Sequence, residues 1–509
     1  MLGRTTGAVL VGVEARLIDV EVDLGGGLPT IAAVGLPDSA VREGIDRIRA
    51  AIQNAAFKLP QRRVIVNLAP ADVRKHGAGL DLPIAIALLA ADQQIEPPIP
   101  PAMAMVGELA LDATIRPIRG ALSIAMAARE AGRSVLLVPC ANADEAALVE
   151  GLEVIPVGSL ADAVAVLKGP RRMRRRVDTA ALLEQAQQEI HAQDLADVRG
   201  QTAARRALEI AAAGGHHLLL SGAPGSGKTM LASRLPGILP PMSPPEAIEV
   251  TRVWSVMGLS RGLVTRRPFR APHQGISFAG MTGGGNPIRA GEISLASHGV
   301  LYLDELTEFK RESLEALRQP LEEGRITVVR LHQAATFPAA FTLVASMNPC
   351  PCGYHGSPDG RCNCTPLQIQ RYRARLSGPL LDRFDLRIDV PAVDPKSLAA
   401  KARGECSRDV RRRVVAARNR QRERFAPSGP TCNAAMEPRE LDRFAALEGR
   451  ARRLLVGACD RLGLSARGFD RVRRVARTLA DLEGETSIGV SHVAEALQYR
   501  HLPEGTMRV

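Results

Sequence analysis

Two hydrophobic periods alternate along the first third of the chain. Short β-prone apolar runs lie at residues 8–13, 64–68, 104–106 and 134–138. Between them, residues 39–55, 82–91 and 121–131 place apolar side chains three and four positions apart. The runs predict strands and the longer period predicts helices. Residues 1–168 therefore read as one α/β domain, with Pro97, Pro98, Pro100 and Pro101 marking a loop. Arginines crowd residues 171–176 in a basic linker over 169–180, read as a solvated connection rather than a nucleic-acid contact.

A second alternation fills residues 181–395. A helix at 202–213 leads to an apolar run and a glycine-rich turn, and strands are expected at 299–303 and 341–346. A helix is expected at 311–321, and the β-prone run 326–330 is one arm of a hairpin before the 341–346 strand. Residues 396–509 are helical. Residues 411–424 form an arginine-rich helix, and Phe469, Val472, Val475, Leu479 and Leu482 share one face of a later one. Arg467 opens that helix, Arg471, Arg473 and Arg474 read as solvated, and 489–497 makes a short last helix.

The sharpest local signal is HHLLLSGAPGSGKT at residues 216–229. Gly222, Ala223, Pro224, Gly225, Ser226, Gly227, Lys228 and Thr229 fill the G-x-x-x-x-G-K-[ST] template. Its glycines let consecutive N–H groups converge on an anion, and the following helix adds its positive end. Lys228 would reach the β- and γ-phosphates and Thr229 would hold Mg²⁺, which makes ATP and Mg²⁺ the expected ligands.

Downstream, GVLYLDE at 299–305 ends a strand in two adjacent carboxylates. Asp304 is placed to hold Mg²⁺ through water and Glu305 to polarise the attacking water. Asn348 closes the next strand, where it would touch the γ-phosphate or the water. The glycine-rich insert at 268–289 carries Arg270, His273 and Arg289, which either decorate a plain surface loop or project toward a ligand.

Cys350, Cys352, Cys362 and Cys364 form two C-x-C pairs across a nine-residue loop. Four thiolates fit a tetrahedral Zn²⁺ site, with His355 as a substitute ligand and free thiols as the alternative. Eight cysteines in 509 residues make no disulfide scaffold. The net charge of +12 favours a polyanionic partner, nucleic acid first, but aromatics at 3% argue against base stacking as the main mode. The longest apolar stretches fall well short of the ~20 residues of a membrane span. The N-terminus shows no apolar signal segment, so no membrane association and a cytoplasmic location are expected.

Two resemblances follow. KHGAGLDLPIAIALLAA at 75–91 and GELALDATIRPIRGALSIAMAAREAG at 107–132 resemble the C-terminal domain of Lon-type proteases. The serine and lysine of the Lon dyad align with Gly77 and Leu122, so the domain reads as a non-proteolytic relative. The succession of phosphate loop, glycine-rich insert, LDE, hairpin, MNPCPCG, LLDRFD and arginine-led helix resembles the magnesium-chelatase-like YifB/ComM family of AAA+ ATPases.

That resemblance covers essentially the whole chain. It implies an α/β P-loop AAA+ core (181–395, with a cysteine loop at 350–364) and a helical lid (396–509). Before them it implies a Lon-protease-like (ribosomal S5 domain 2-like) α/β domain. It implies a ring, expected to be a hexamer, with ATP between subunits. Asn348 becomes sensor 1, Arg383 of LLDRFD the arginine finger that reaches a neighbour's site, Arg467 sensor 2, and residues 194–200 part of the adenine pocket. ComM-type members imply a branch-migration helicase in natural transformation, with single-stranded or branched DNA met by Arg270, Arg325 and Arg330. A protein-remodelling ATPase and a metal-chelatase motor remain the alternatives; the Lon-like domain and the cysteine loop point away from the second.

Overall fold

A left-handed Gly12 (φ +65°) turns strand Leu2–Val11 back onto Glu14–Gly25, and their antiparallel pairing starts one side of a four-stranded sheet. Arg63–Ala69 and Thr30–Val34 complete that sheet, the last two parallel. The computed structural model describes residues 2–96, 98–169, 175–188, 193–330, 333–356, 360–392, 404–425 and 429–500. Most of the basic run at 171–176 therefore lies outside the described residues.

Helices Ser39–Asn54 and Asp81–Ala91 pack on the sheet. All but one of the 11 residues of Asp81–Ala91 are buried. The helix carries a carboxylate, Asp81, that burial pushes up to about 6 despite its ion pair with Arg47 at 3.0 Å. A parallel three-stranded sheet follows, Met103–Met105, Val135–Pro139 and Glu153–Val157 in that order, covered by helix Ala121–Glu130.

The central sheet has five parallel strands in the order Phe269–Arg270, Val300–Leu303, Thr342–Met347, Leu218–Ser221, Leu386–Asp389. Its three middle strands are buried almost throughout, which is why they read as continuous apolar runs. Leu218–Ser221 lies between strands that follow it in sequence, so the crevice at the carboxyl ends opens beside it, where open parallel sheets hold ligands. The hairpin pairs Arg325–Arg330 with Gln333–Pro338, and Thr342–Met347 starts after three more residues. The expected helix at 311–321 is instead two turns, Arg311–Glu315 and Pro320–Glu323. Proline has no N–H to continue the first turn and opens the second.

Helices Ser407–Arg424, Pro438–Phe444, Gly449–Leu462, Ala466–Glu483 and Val490–Gln498 form the C-terminal region. Val472, Val475 and Leu479 are buried against the core, and Phe469 and Leu482 pack at its edge. The three arginines expected to be solvated are not. Arg473 donates to the Leu441 and Ala445 carbonyls, Arg474 to that of Met436, and Arg471 is buried. The helix ends left a row of carbonyls inside the bundle, and long guanidinium stems satisfy them.

The first hairpin's tip reaches the elements packed around the central sheet. Val13 is buried among Met281, Ile293 and Phe337, and its carbonyl accepts from Ser123 Oγ at 2.6 Å. Helix Pro244–Val256 adds Ser255 to the buried Glu145 carboxylate.

Candidate nucleotide site

The phosphate loop leaves the carboxyl end of Leu218–Ser221 and enters helix Lys228–Ile238. Gly225 and Gly227 take φ of +76° and +91°, a region where a side chain is strained. A Cβ on Gly222 would stand 2.3 Å from the Val390 carbonyl oxygen, so only glycine lets the loop lie flat on the sheet edge. Ser226 is buried in the loop and its hydroxyl has no partner among the described residues. Lys228 Nζ donates to the Gly222 and Ala223 carbonyls (2.7 and 2.9 Å) and to Asn348 Oδ1 at 3.2 Å. Burial lowers its pKa from the ordinary lysine value, and Asp304 and Glu305 partly oppose that shift. The cation is caged by neutral oxygens that a phosphate oxygen can replace. An orphan hydroxyl, a flat glycine edge and a caged ammonium together fit a nucleotide phosphate chain.

Asp304 meets Thr229 here: Thr229 Oγ1 lies 2.9 Å from Asp304 Oδ2. The Tyr302 hydroxyl donates to Asp304 Oδ1 at 2.9 Å, and Ser346 Oγ donates to the same oxygen. Burial pushes the Asp304 carboxyl up, but hydrogen bonds from Ser346, Tyr302 and Thr229 outweigh it and hold the group below the usual carboxylate range. An ionised carboxylate beside a hydroxyl is a hard-oxygen pair suited to Mg²⁺. Glu305 takes a left-handed φ of +53°, rare for a residue with a side chain, and its N–H is held by Ser346 Oγ at 3.1 Å. Glu305 is exposed at this strained turn, one residue beyond Asp304.

Asn348 sits where strand Thr342–Met347 ends, two residues before the first cysteine. The sulfurs of Cys350, Cys352, Cys362 and Cys364 all lie within 4.8 Å of one another, with the Cys350–Cys352, Cys350–Cys362 and Cys352–Cys362 pairs at 3.3, 3.7 and 3.6 Å. Tetrahedral Zn–S bonds of about 2.3 Å set sulfurs about 3.8 Å apart, so the thiols are spaced for such an ion. The four-ligand group is all sulfur; His355 contributes its backbone N–H to Cys350 Sγ at 3.3 Å. This cysteine loop leans on the phosphate loop. The Cβ that Gly353 lacks would meet Pro224 Cδ at 2.5 Å.

Arg383 and Arg467 lie elsewhere. Both line a cavity of about 1660 Å³ between the core and the C-terminal helices, together with His217, Gly299 and Thr342. Those three residues begin or precede strands, so the cavity opens at the amino ends of the sheet, opposite the phosphate loop. Arg467 starts its helix as expected, but it does not face its own chain's loop. The reason is a buried polar network that docks helix Ala466–Glu483 on this end. Arg471 donates to the Arg383 carbonyl (2.7 Å) and to Asp385 (3.0 Å), and His216 bridges Asp385 and Thr478. Arg383 is also not extended. It is 5% exposed and paired with Glu322.

The expected DNA-contact arginines divide. Arg325 and Arg330 are exposed on the hairpin, beside Val329. Arg270 is not a free cation: its Nε and Nη2 lie 2.6 and 2.7 Å from the Glu292 carboxylate, which fixes the insert. The strand pair Gly283–Gly284 and Arg289–Ala290 from the same insert leans on the hairpin and leaves Arg289 exposed. The segment before helix Thr202–Gly214 forms a capped turn, Leu195–Asp197, tied to the phosphate-loop helix by Arg234 donating to the Asp194 carbonyl. At the Lon-dyad positions, Gly77 faces open space and Leu122 is fully buried.

Sequence reasoning missed Tyr302 and Ser346. Strand alternation puts Tyr302 on the face of Asp304. Leu303 pairs with Ala345, so the next position along, Ser346, lies beside Asp304. Both signals were available. Gln201, which donates to the Ser226 and Pro391 carbonyls at 3.3 and 2.6 Å, had no local signature.

Three family descriptions match the chain. Residues 194–398 match "Magnesium chelatase, subunit ChlI", 20–142 match "Subunit ChlI of Mg-chelatase", and 404–500 match "Magnesium chelatase, subunit ChlI C-terminal". The chain is 44% identical over 493 residues to the "Competence protein ComM" of Haemophilus influenzae, covering 96% of each. It is 44% identical over 495 residues to the "Uncharacterized protein YifB" of Salmonella typhimurium, covering 96% of this chain and 95% of that one. The YifB of Escherichia coli is 43% identical over 493 residues, covering 96% and 95%. Among the described residues, no helix is long and apolar enough to cross a membrane.

Proposed function

Because the chain belongs to the YifB/ComM family of magnesium-chelatase-like ATPases, we propose that it is an ATP-driven ring motor that moves branched DNA. Residues 222–229 bind the phosphates, Thr229 and Asp304 hold Mg²⁺, Glu305 orients and deprotonates the water, and Asn348 reads the γ-phosphate. Mg²⁺, when bound, neutralises charge that develops between the β- and γ-phosphates. Arg383 and Arg467 face away from their own loop and so serve a neighbour's nucleotide, which makes the ring, a hexamer in this reading, part of the active site. The division is a Lon-like domain to residue 168, a linker, the ATPase core to 395 and a helical domain beyond. With no serine or lysine at 77 or 122, the first domain positions the core rather than cutting peptides.

One observation carries the motor reading. The hairpin with exposed Arg325 and Arg330 runs, three residues later, into the strand Thr342–Met347, which leads directly to Asn348. A side chain that senses the γ-phosphate and an arm that meets a polymer thus share one rigid segment. The relative from Haemophilus is named a competence protein, which fits work on incoming DNA. Backbone contacts with little base reading predict that DNA affinity falls steeply with salt. Replacing Arg325 and Arg330 together by alanine is expected to lower the slope of log affinity against log salt by about 2 in magnitude. An unchanged slope would remove the hairpin from the interface.

The family descriptions favour a second reading, a motor for metal insertion into a porphyrin. Its test is whether a porphyrin and a partner subunit, rather than DNA, raise hydrolysis. Polypeptide stimulation would instead mark a remodelling ATPase.

We assign the four-thiol group to Zn²⁺. Protein purified without chelator is expected to carry one zinc per chain, and Cys350→Ser to lose it; metal-free wild type would sink the assignment. Gly353→Ala is expected to weaken ATP affinity about tenfold, because the new methyl displaces Pro224. Titration with a fluorescent ATP analogue reads this directly, and unaltered affinity would mean that the cysteine loop does not brace the site.

A further inference from the structure

Arg383 is held by one carboxylate. Its Nη2 is paired with Glu322, the only described acidic side chain in ion-pair contact with it, and its buried Nε has no partner among the described residues. Arg318, Arg467 and Arg471 also stand near it, the last of them paired with Asp385. A guanidinium crowded by like charges, with one donor unused, suits an acceptor of higher charge than a carboxylate. The terminal phosphate of a nucleotide is such an acceptor. The Glu322 side chain is 52% exposed, so water can receive it once the pair opens.

Glu322 also stands at the root of the hairpin. It belongs to the turn Pro320–Glu323, and Gly324, at φ +65°, bends the chain straight into Arg325–Arg330. Ala339 N–H closes the root by donating to the Gly324 carbonyl at 2.8 Å. Only Glu323 and Gly324 separate Glu322 from Arg325, the first residue of the hairpin.

We propose that Glu322 is a positioning residue that withholds Arg383 from the neighbouring nucleotide until the hairpin engages its polymer. The proposal rests on the reading that Arg383 serves a neighbour's site. Two states follow, one with Arg383 on Glu322 and one with Arg383 on phosphate, and the hairpin differs between them. Linkage then runs both ways: polymer on the hairpin frees the arginine, and nucleotide next door moves the hairpin.

The test compares full-length wild type, Glu322→Gln, Glu322→Asp, Arg383→Ala and the double variant Glu322→Gln with Arg383→Ala. kcat and KM for ATP are measured with no polymer and with single-stranded DNA, and thermal unfolding checks each fold. Glu322→Gln is expected to raise the polymer-free kcat about fivefold with KM unchanged, and to shrink DNA stimulation accordingly. Glu322→Asp restores restraint, and Glu322→Gln adds nothing once Arg383 is alanine. A polymer-free kcat in Glu322→Gln equal to or below wild type overturns the proposal, as does an equal gain in the Arg383→Ala background. Full hydrolysis by Arg383→Ala alone would instead overturn the neighbour-site reading. The polymer-free rate is informative even where DNA does not stimulate.

Discussion

Glu305→Gln protein is expected to bind ATP as tightly as wild type and to hydrolyse it about a thousandfold more slowly, within the range a general base contributes. The amide keeps the shape of the side chain and loses its charge and its ability to take a proton. No hydrogen bond that fixes Lys228 or Asp304 comes from its side chain. Asp304 is fixed by Tyr302 and Ser346, and Lys228 by two carbonyls and Asn348. The Glu305 N–H to Ser346 is a backbone contact that the substitution leaves in place. Single-turnover hydrolysis separates the step from product release, and a fluorescent analogue gives affinity. A loss of less than about fivefold would give the water to another group.

Arg383→Ala is expected to cost about a thousandfold in kcat, the scale of a missing arginine finger, with ATP affinity at the chain's own loop intact. The stronger form of this prediction uses mixtures. In the proposed ring each active interface would take Glu305 from one subunit and Arg383 from the next, because a head-to-tail contact joins two different surfaces. Mixing inactive Glu305→Gln with inactive Arg383→Ala chains rebuilds about a quarter of the interfaces at equal amounts. Hydrolysis should therefore reappear on mixing. If Arg383 acted within its own chain, no mixture would recover. The cavity at the amino ends of the strands, opposite the phosphate loop, is the geometric reason to expect recovery.

How much of this was legible in the sequence depends on how far apart the partners lie. The phosphate loop is a contiguous strand, turn and helix, so its residues and shape could be read together. Asp304, Glu305 and Asn348 end strands of the same sheet, and a parallel sheet brings strand ends to one edge. The second and third strands, Glu14–Gly25 and Thr30–Val34, went unread although Ile18, Val20, Val22 and Leu24 alternate cleanly with polar residues. That signal was local and simply missed.

Other features had no local signal. Arg270 looked like a free insert arginine because its partner Glu292 lies 22 residues away across a bend. Arg471 looked solvated because Asp385 lies 86 residues upstream. Arg467 was placed correctly at a helix start, but a sequence does not say toward which end of the sheet a docked helix points. The buried chain Arg471, Asp385, His216, Thr478 decides that, and it joins residues from three separate stretches. Removing one member would leave a buried charge or hydroxyl unpaired, so the docking is specific rather than greasy.

The proposed ring would convert ATP hydrolysis into work on DNA. The most direct measurement is steady-state ATPase activity of the full-length protein alone, with single-stranded DNA, with a branched junction and with an unfolded polypeptide. Glu305→Gln protein sets the background. DNA is expected to raise the rate, the branched junction most, and polypeptide is not. Stimulation by polypeptide with none by either DNA would contradict that expectation.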